Sequence, residues 1–333
     1  MPRRSTRPRC ALRHSRTMAM RGAFALYAPS GAPRGQGAKG DAPEGVPEGV
    51  RGALWSAGRI PSKMGFSKLA DVPLSEWTVS RLAWAVARRI QAFPHDLAWA
   101  AAMRRNTGIR RRLEAFQGLH RGERCFILGN GPSLAVTDLE PLRKEFTFGL
   151  NRVFVGLGRM GFRPTYYVSI DELVARQSAD EITRLPMPKF VNWALRDRFD
   201  PGDGVLWLHE TFRPHFSVDL CKGLWGGSTA TYAALQVAYY MGFSQVLLVG
   251  VDHSYTQAGT PHETVVSRGN DPDHFHPDYY PSGFRWHRPD VRTAEAAYRM
   301  AKKAYECGGR EILDATVGGK LSVFRKVDYL QFS

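Results

Sequence analysis

An α/β fold, a doubly wound and mainly parallel sheet with helices on both faces and a helical arm ahead of it, is predicted by three observations. Short apolar runs end again and again in a glycine or a polar residue. From about residue 121 onward these runs alternate with amphipathic stretches of helical period. The basic excess, +15 over 333 residues, is concentrated ahead of that pattern rather than within it. Strands alternating with helices build a parallel sheet, and such sheets bind ligands outside the carboxyl ends of their strands.

Residues 1–63 hold twelve Lys/Arg and three Asp/Glu, a net of +9, which leaves +6 for the other 270 residues. This Gly/Pro/Arg-rich leader has few apolar runs to offset its ordering entropy, so it is expected to be disordered. It lacks the apolar segment and small-residue cleavage site of a secretory signal, and a start near Met64 is an alternative reading. With the leader set aside, the charge gives little support to nucleic-acid binding. No run approaches the roughly 20 apolar residues of a transmembrane helix. The cysteines, Cys10, Cys125, Cys221 and Cys307, show no close spacing. A disulfide framework or zinc site is therefore not expected, and a reducing cytoplasm is.

Residues 64–120 read as a helical arm. Ser75 is a candidate N-cap, Leu82, Val86 and Ile90 share one stripe, and Pro94 interrupts before the helical pattern resumes. Trp84, Trp99 and the Arg110–Arg112 cluster fit a packing arm with a solvated basic face. The alternative is a peripheral contact at the inner face of the membrane.

Residues 121–333 form the predicted catalytic domain. CFILGNGPSL is a strand running into a Gly-rich turn, with helical character over 136–144. FTFGLNRVF, PTYYVSIDE and VLWLHE are further strands with polar ends. STATYAALQVAYYMGF is a strong amphipathic helix closed by Gly242. SQVLLVGVDHSY is a buried strand, TAEAAYRMAKKAYECGG a helix closed by Gly308, and REILDAT the last strand.

Five places carry candidate chemistry. Gly129, Asn130, Gly131, Pro132 and Ser133 follow a strand directly. Glycines let backbone N–H groups approach a phosphate, and a following helix would add its positive end; a ligand-free tight turn would have the same sequence. Asn151 and Arg152 end another strand, where an amide suits a base or ribose and a guanidinium suits a phosphate. Gly227, Ser228 and Thr229 precede the long helix and can cap it or cradle an anion. Asp252 ends the most apolar strand. His274, His276, Asp278, Tyr279 and Tyr280, then Trp286 and His287, crowd one Pro/Gly-containing loop. It can serve as a metal site or as a lid carrying a general base that titrates near neutrality.

Taken together, GNGPSL, GLNRVF, GGSTATYAALQVAYYMGF, VLLVGVDHSY, DPDHFHPDYY, WHRPDV and DATVGGKLSVFRKVDY resemble the 6-hydroxymethylpterin diphosphokinase MptE-like family, formerly a domain of unknown function, over about Arg121 to Tyr329. The same order resembles bacterial CMP-sialic-acid sialyltransferases more distantly. The resemblance implies a Rossmann-like domain with nucleotide contacts at Gly129–Ser133, Asn151, Ser228 and Thr229. It further implies Tyr255 on the leaving phosphate and His287, ahead of Asp290-Val291, as the catalytic base.

The expected activity is nucleotide-dependent transfer in surface-glycan synthesis, from a CMP-linked sugar to a glycan acceptor, with no cofactor. Asp252 and His276 are further catalytic candidates. The alternative is pyrophosphoryl transfer from ATP to a pterin-like alcohol, with Mg²⁺ held by Asp171, Glu172 and Asp252. A third reading is a non-catalytic binding protein of a glycan-assembly system. An oligomer is compatible with all three.

Overall fold

The computed structural model describes residues 93–104, 107–200, 202–256 and 259–332, all within one compact unit that spans Gly65–Ser333. The predicted leader, Ser75, Trp84 and the stripe at Leu82, Val86 and Ile90 lie outside the described residues.

The strands are β1 (Arg124–Leu128), β2 (Thr147–Leu150), β3 (Tyr166–Ser169), β4 (Lys189–Asn192), β5 (Val205–Leu208), β6 (Gln245–Val249), β7 (Thr264–Val266), β8 (Arg285–His287), β9 (Glu311–Asp314) and β10 (Arg325–Lys326). Eight of them form one sheet in the order β10-β9-β6-β1-β2-β3-β4-β5, every pair parallel. β7 and β8 make a separate antiparallel hairpin. Among the described residues, helix covers 93–102 and then α1 (Gly108–Glu114), α2 (Leu157–Met160), α3 (Glu172–Gln177), α4 (Ala179–Thr183), α5 (Ala230–Met241) and α6 (Val291–Cys307).

Strands buried on both faces need apolar side chains at consecutive positions, and Cys125–Leu128 in β1 and Val246–Val249 in β6 supply them. The chain steps from β1 to β5 in one direction, returns through α5, and continues from β6 in the other. The order therefore reverses between β1 and β6, and a crevice opens at such a switch point.

The fold corrects three expectations. α5 is not amphipathic: every residue from Thr231 to Met241 is buried, the mark of a helix enclosed by its domain. α6 carries the single buried stripe instead, through Ala294, Ala297, Tyr298, Ala301 and Tyr305. The helix expected over 136–144 is replaced by two short 3₁₀ segments, Pro132–Ala135 and Glu140–Lys144. The turn at Val136, the bend at Thr137 and Pro141 break the run, so no α-helix dipole points at the Gly129–Gly131 loop. Gly242 closes α5 as expected, with φ +99°.

The arm packs. Trp99 is 5% exposed, stacks on His209 with ring centroids 5.4 Å apart, and donates its indole N–H to the Cys221 carbonyl at 3.1 Å. Arg110 bonds Glu114 at 2.8 Å and the Met103 carbonyl, and Arg112 reaches the Val205 carbonyl at 2.9 Å. Trp99 is thus part of the core and has no face to offer a membrane. Among the described residues no helix is long and apolar enough to cross one.

Candidate functional site

A cleft of about 870 Å³ runs along the carboxyl ends of β6, β1, β2, β3, β4 and β5. Gly129–Gly131, Asn151, Asp171, Ser228–Thr229, Asp252 and His287 all line it. The glycine loop and the candidate base, 156 residues apart, face the same space.

The loop meets that space in a way the sequence did not suggest. Gly129 N–H donates to the Val249 carbonyl at 2.7 Å and Gly131 N–H to the Gly250 carbonyl at 2.9 Å. Ser133 donates its N–H to Asp252 Oδ1 at 3.1 Å and its hydroxyl to Oδ2 at 2.7 Å. Its amides therefore tie β1 to the end of β6, and the Asp252 carboxylate sits where a phosphate was expected. The glycines are needed for that approach: a Cβ on Gly129 would lie 2.3 Å from the Gly250 carbonyl oxygen, and one on Gly131 would lie 2.0 Å from Asp252 Oδ2. Pro132 opens the first 3₁₀ segment and has no N–H to offer. Asn130 remains: its Nδ2 donates to the Leu150 carbonyl at 3.1 Å, while its buried Oδ1 has no protein partner. A buried acceptor left unmatched costs about 1–3 kcal/mol, so Oδ1 is primed for a ligand donor.

The N-terminus of α5 offers what the loop does not. Gly227 and Ser228 adopt left-handed φ values of +59° and +58°, and Thr229, the N-cap, makes no side-chain cap bond. Its hydroxyl instead lies 3.2 Å from the Tyr298 hydroxyl. Ser228, Thr229, Ala230 and Thr231 all border the cleft. A 12-residue helix presents unpaired N–H groups and a positive dipole end there.

Across the cleft stands the β7–β8 hairpin. β8 residues Arg285, Trp286 and His287 pair with Val266, Val265 and Thr264. Trp286 is buried and stacks on Tyr280 at 5.4 Å, and Tyr280 stacks on Phe284 at 5.2 Å. His287 is exposed on the cleft side. The Gln177 side chain at the end of α3 fastens the hairpin: it accepts from Arg285 N–H at 2.9 Å and donates to the Arg285 carbonyl at 2.7 Å. At the other end of α3, the N-cap Asp171 accepts from Val174 N–H at 3.0 Å. Burial pushes the Asp171 carboxyl above its ordinary value, against the pull of the Val174 N–H and of the nearby His287 charge. An acid beside an imidazole can orient it and share its proton.

Other candidates stand elsewhere. Arg152 is buried behind the loop, over the Phe284 ring at 4.6 Å and bonded to Ser178 Oγ at 2.8 Å, and it does not line the cleft. His276 does not either; its Nδ1 accepts from Asp278 N–H at 3.1 Å and holds a turn. Asp278 is exposed away from the cleft, and Tyr279 is a core residue stacked on His274 at 3.9 Å. Of the crowded loop, His274, Tyr280, Trp286 and His287 reach the cleft. The loop's rings serve mainly as the hairpin's core. Tyr255 lines the cleft half-exposed, its ring 6.5 Å from that of His253. Among the metal candidates, Glu172 pairs with Arg176 at 2.9 Å. Among the described residues no three His, Cys, Asp or Glu side chains converge to hold a metal ion.

Asn192, His209 and Glu210 also line the cleft and were not singled out from the sequence; His253, which the sequence places beside Asp252, lines it too. His209-Glu210 follows the VLWL strand, the strand-end position that marked the others. Asn192 ends β4, a four-residue strand the sequence reading did not recognise.

Residues 100–258 match the family described as 6-hydroxymethylpterin diphosphokinase MptE-like. The match covers just under half of the chain. It begins earlier than the resemblance suggested, taking in α1, and stops at 258 rather than near Tyr329. Within the matched segment fall the glycine loop, Asn151, Asp171, the α5 N-terminus and Asp252; His287 and the hairpin fall beyond it. A solved structure, that of the MAf glycosyltransferase from Magnetospirillum magneticum AMB-1, is similar at 15% identity and a TM-score of 0.42, covering 66% of this chain and 38% of that one. The chain thus spans well under half the length of that structure. No curated protein matches.

Proposed function

We propose that the protein is a transferase moving a group from a phosphate-linked donor to an acceptor hydroxyl, in the manner of a sialyltransferase-like glycosyltransferase with a CMP-linked sugar. The observation that carries this is the single cleft holding Asn130, the open α5 N-terminus and His287. Asn130 Oδ1 accepts from the nucleotide, and Asn151 lies beside it. The α5 amides with Ser228, Thr229 and Tyr255 receive the leaving phosphate, where preorganised donors act most strongly. His287 takes the proton as the acceptor oxygen bonds to the sugar carbon and the carbon–phosphate oxygen bond breaks. General-base help of this kind is worth roughly 10²–10⁴-fold.

The matched segment and the charge of the cleft favour a second reading, pyrophosphoryl transfer from ATP to a pterin-like alcohol. Asp96, Asp171, Glu172, Glu210, Asp252 and Asp290 border the cleft, against Arg288 as its one Lys or Arg among the described residues. A triphosphate in such surroundings calls for a divalent cation. Mg²⁺ takes most of its ligands from water and phosphate and needs one or two carboxylates. Asp171 and Asp252, each with lone pairs beyond those bonded to the protein, fit that role; Glu172 is drawn off by Arg176. Bound there, Mg²⁺ would neutralise phosphate charge.

Thermal-shift measurements with CMP, CDP, ATP and a pterin, with and without Mg²⁺, separate the two. Stabilisation by CMP or CDP without metal supports glycosyl transfer. Stabilisation by ATP only with Mg²⁺, together with the pterin, transfers the assignment to the second reading. In either case His287→Ala is expected to lower turnover at least 100-fold while keeping the nucleotide shift, and near-normal turnover would remove His287 from the mechanism.

A further inference from the structure

The cleft is longer than its nucleotide end. Neighbouring strands lie about 4.8 Å apart, so the five steps from β6 to β5 span about 24 Å. Asp171, which lines the cleft together with His287, follows β3, and the cleft continues past it over the ends of β4 and β5.

That arm has its own chemistry. Its lining includes Asp96, Asn192, Glu210, Phe212 and Trp225. Phe212 is 50% exposed, and Trp225 is half-buried with its ring edge-on to Tyr232 at 5.7 Å. The Glu210 side chain lies over Gly226, where a Cβ would stand 2.3 Å from Oε1, and Asn192 Nδ2 lies 3.5 Å from Oε2. The end wall comes from the arm that precedes β1. Asp96 pairs with His209 at 2.9 Å, and His95 is 2.8 Å from Arg196, whose guanidinium lies on the Trp193 ring at 4.9 Å. Residues 95 and 96 lie ahead of the matched segment.

Among the described residues lining this arm there is no Lys or Arg. Ionised carboxylates accept hydrogen bonds and cannot donate them, so the arm asks its occupant for O–H donors and repels anions. The aromatic rings add apolar area.

We infer that the β4–β5 arm is the acceptor subsite and that it takes an uncharged, hydroxyl-rich saccharide. The inference rests on the transferase reading above. Carboxylates at Glu210 and Asp96 receive sugar hydroxyls, Phe212 and Trp225 lie against the apolar faces of the rings, and the terminal hydroxyl reaches His287 over β3. The anionic donor has Arg288 and the N-terminus of α5 at its own part of the cleft, and the arm offers no such positive group.

The test is binding of the full chain to an array of neutral oligosaccharides, uronic-acid or sialylated oligosaccharides, and Ser/Thr peptides, repeated with Phe212→Ala and Glu210→Gln. The expected result is binding to neutral saccharides alone, weakened at least tenfold by each variant, with the nucleotide thermal shift unchanged. Preference for acidic glycans or for peptides, no saccharide binding, or variants that bind as the parent does would overturn it. Failure of the array with an intact CMP or ATP shift sinks this inference and leaves the transferase reading standing. Loss of the nucleotide shift from the parent protein, with neutral saccharides still bound, does the reverse.

Discussion

At the scale of single residues, two glycines and one aspartate determine how the first loop meets the sheet. Gly129 and Gly131 lack the side chains that would strike the Gly250 carbonyl and the Asp252 carboxylate, so β1 and β6 close to hydrogen-bonding distance at their ends. Asp252 takes both donors of Ser133. Its obvious reading was catalytic; its geometry makes it the clasp of the switch point. Gly129→Ala meets backbone rather than a flexible side chain, and overpacking of this kind costs about 1–3 kcal/mol. A lower midpoint of thermal unfolding than the parent's is expected, with the nucleotide shift weakened in the same variant; an unchanged midpoint would mean the loop can yield. The residue-scale signal was thus partly legible. Glycines after a strand mark a close approach, but sequence alone does not say whether a ligand or another strand is being approached.

Whole elements were legible where burial imposed a pattern and not where packing was local. β1 and β6 show unbroken apolar runs because both faces are covered, α6 shows a helical period, and α5 is marked by its length and closing glycine. β4 follows a Pro-Met-Pro segment, opens on Lys189 and ends on Asn192, so only Phe190 and Val191 form its apolar run. The β7–β8 hairpin was hidden by its composition: its histidines and aspartates suggested solvated chemistry, whereas Phe275, Tyr279, Tyr280, Phe284 and Trp286 form a ring-stacked core of their own. That hairpin is tied to α3 by the paired bonds from Gln177 to Arg285, two residues before His287. Gln177→Ala removes both bonds and leaves only the exposed stem, so amide hydrogen exchange at Trp286 and His287 should quicken several-fold while β1 and β6 keep their protection. Unaltered exchange in β8 would show that ring stacking alone holds the hairpin.

For the molecule as a whole, fold class and the location of the cleft followed from topology, since a reversal of strand order opens a crevice whatever the loops contain. The partition of roles within that crevice did not follow. It depends on which amides are already bonded, and hydrogen bonds between residues more than 100 apart, such as Ser133 to Asp252, leave no trace in local sequence. In the proposed reaction the phosphate lies at the N-terminus of α5 and the proton goes to the imidazole across from it. A crystal structure with bound CMP tests this directly. Phosphate oxygens within hydrogen-bonding distance of the Ser228–Ala230 backbone, a ribose or base donor on Asn130 Oδ1, and His287 facing the phosphate across open space are predicted. A nucleotide seated elsewhere, or with its phosphate turned from α5 and its far side from His287, would contradict the account.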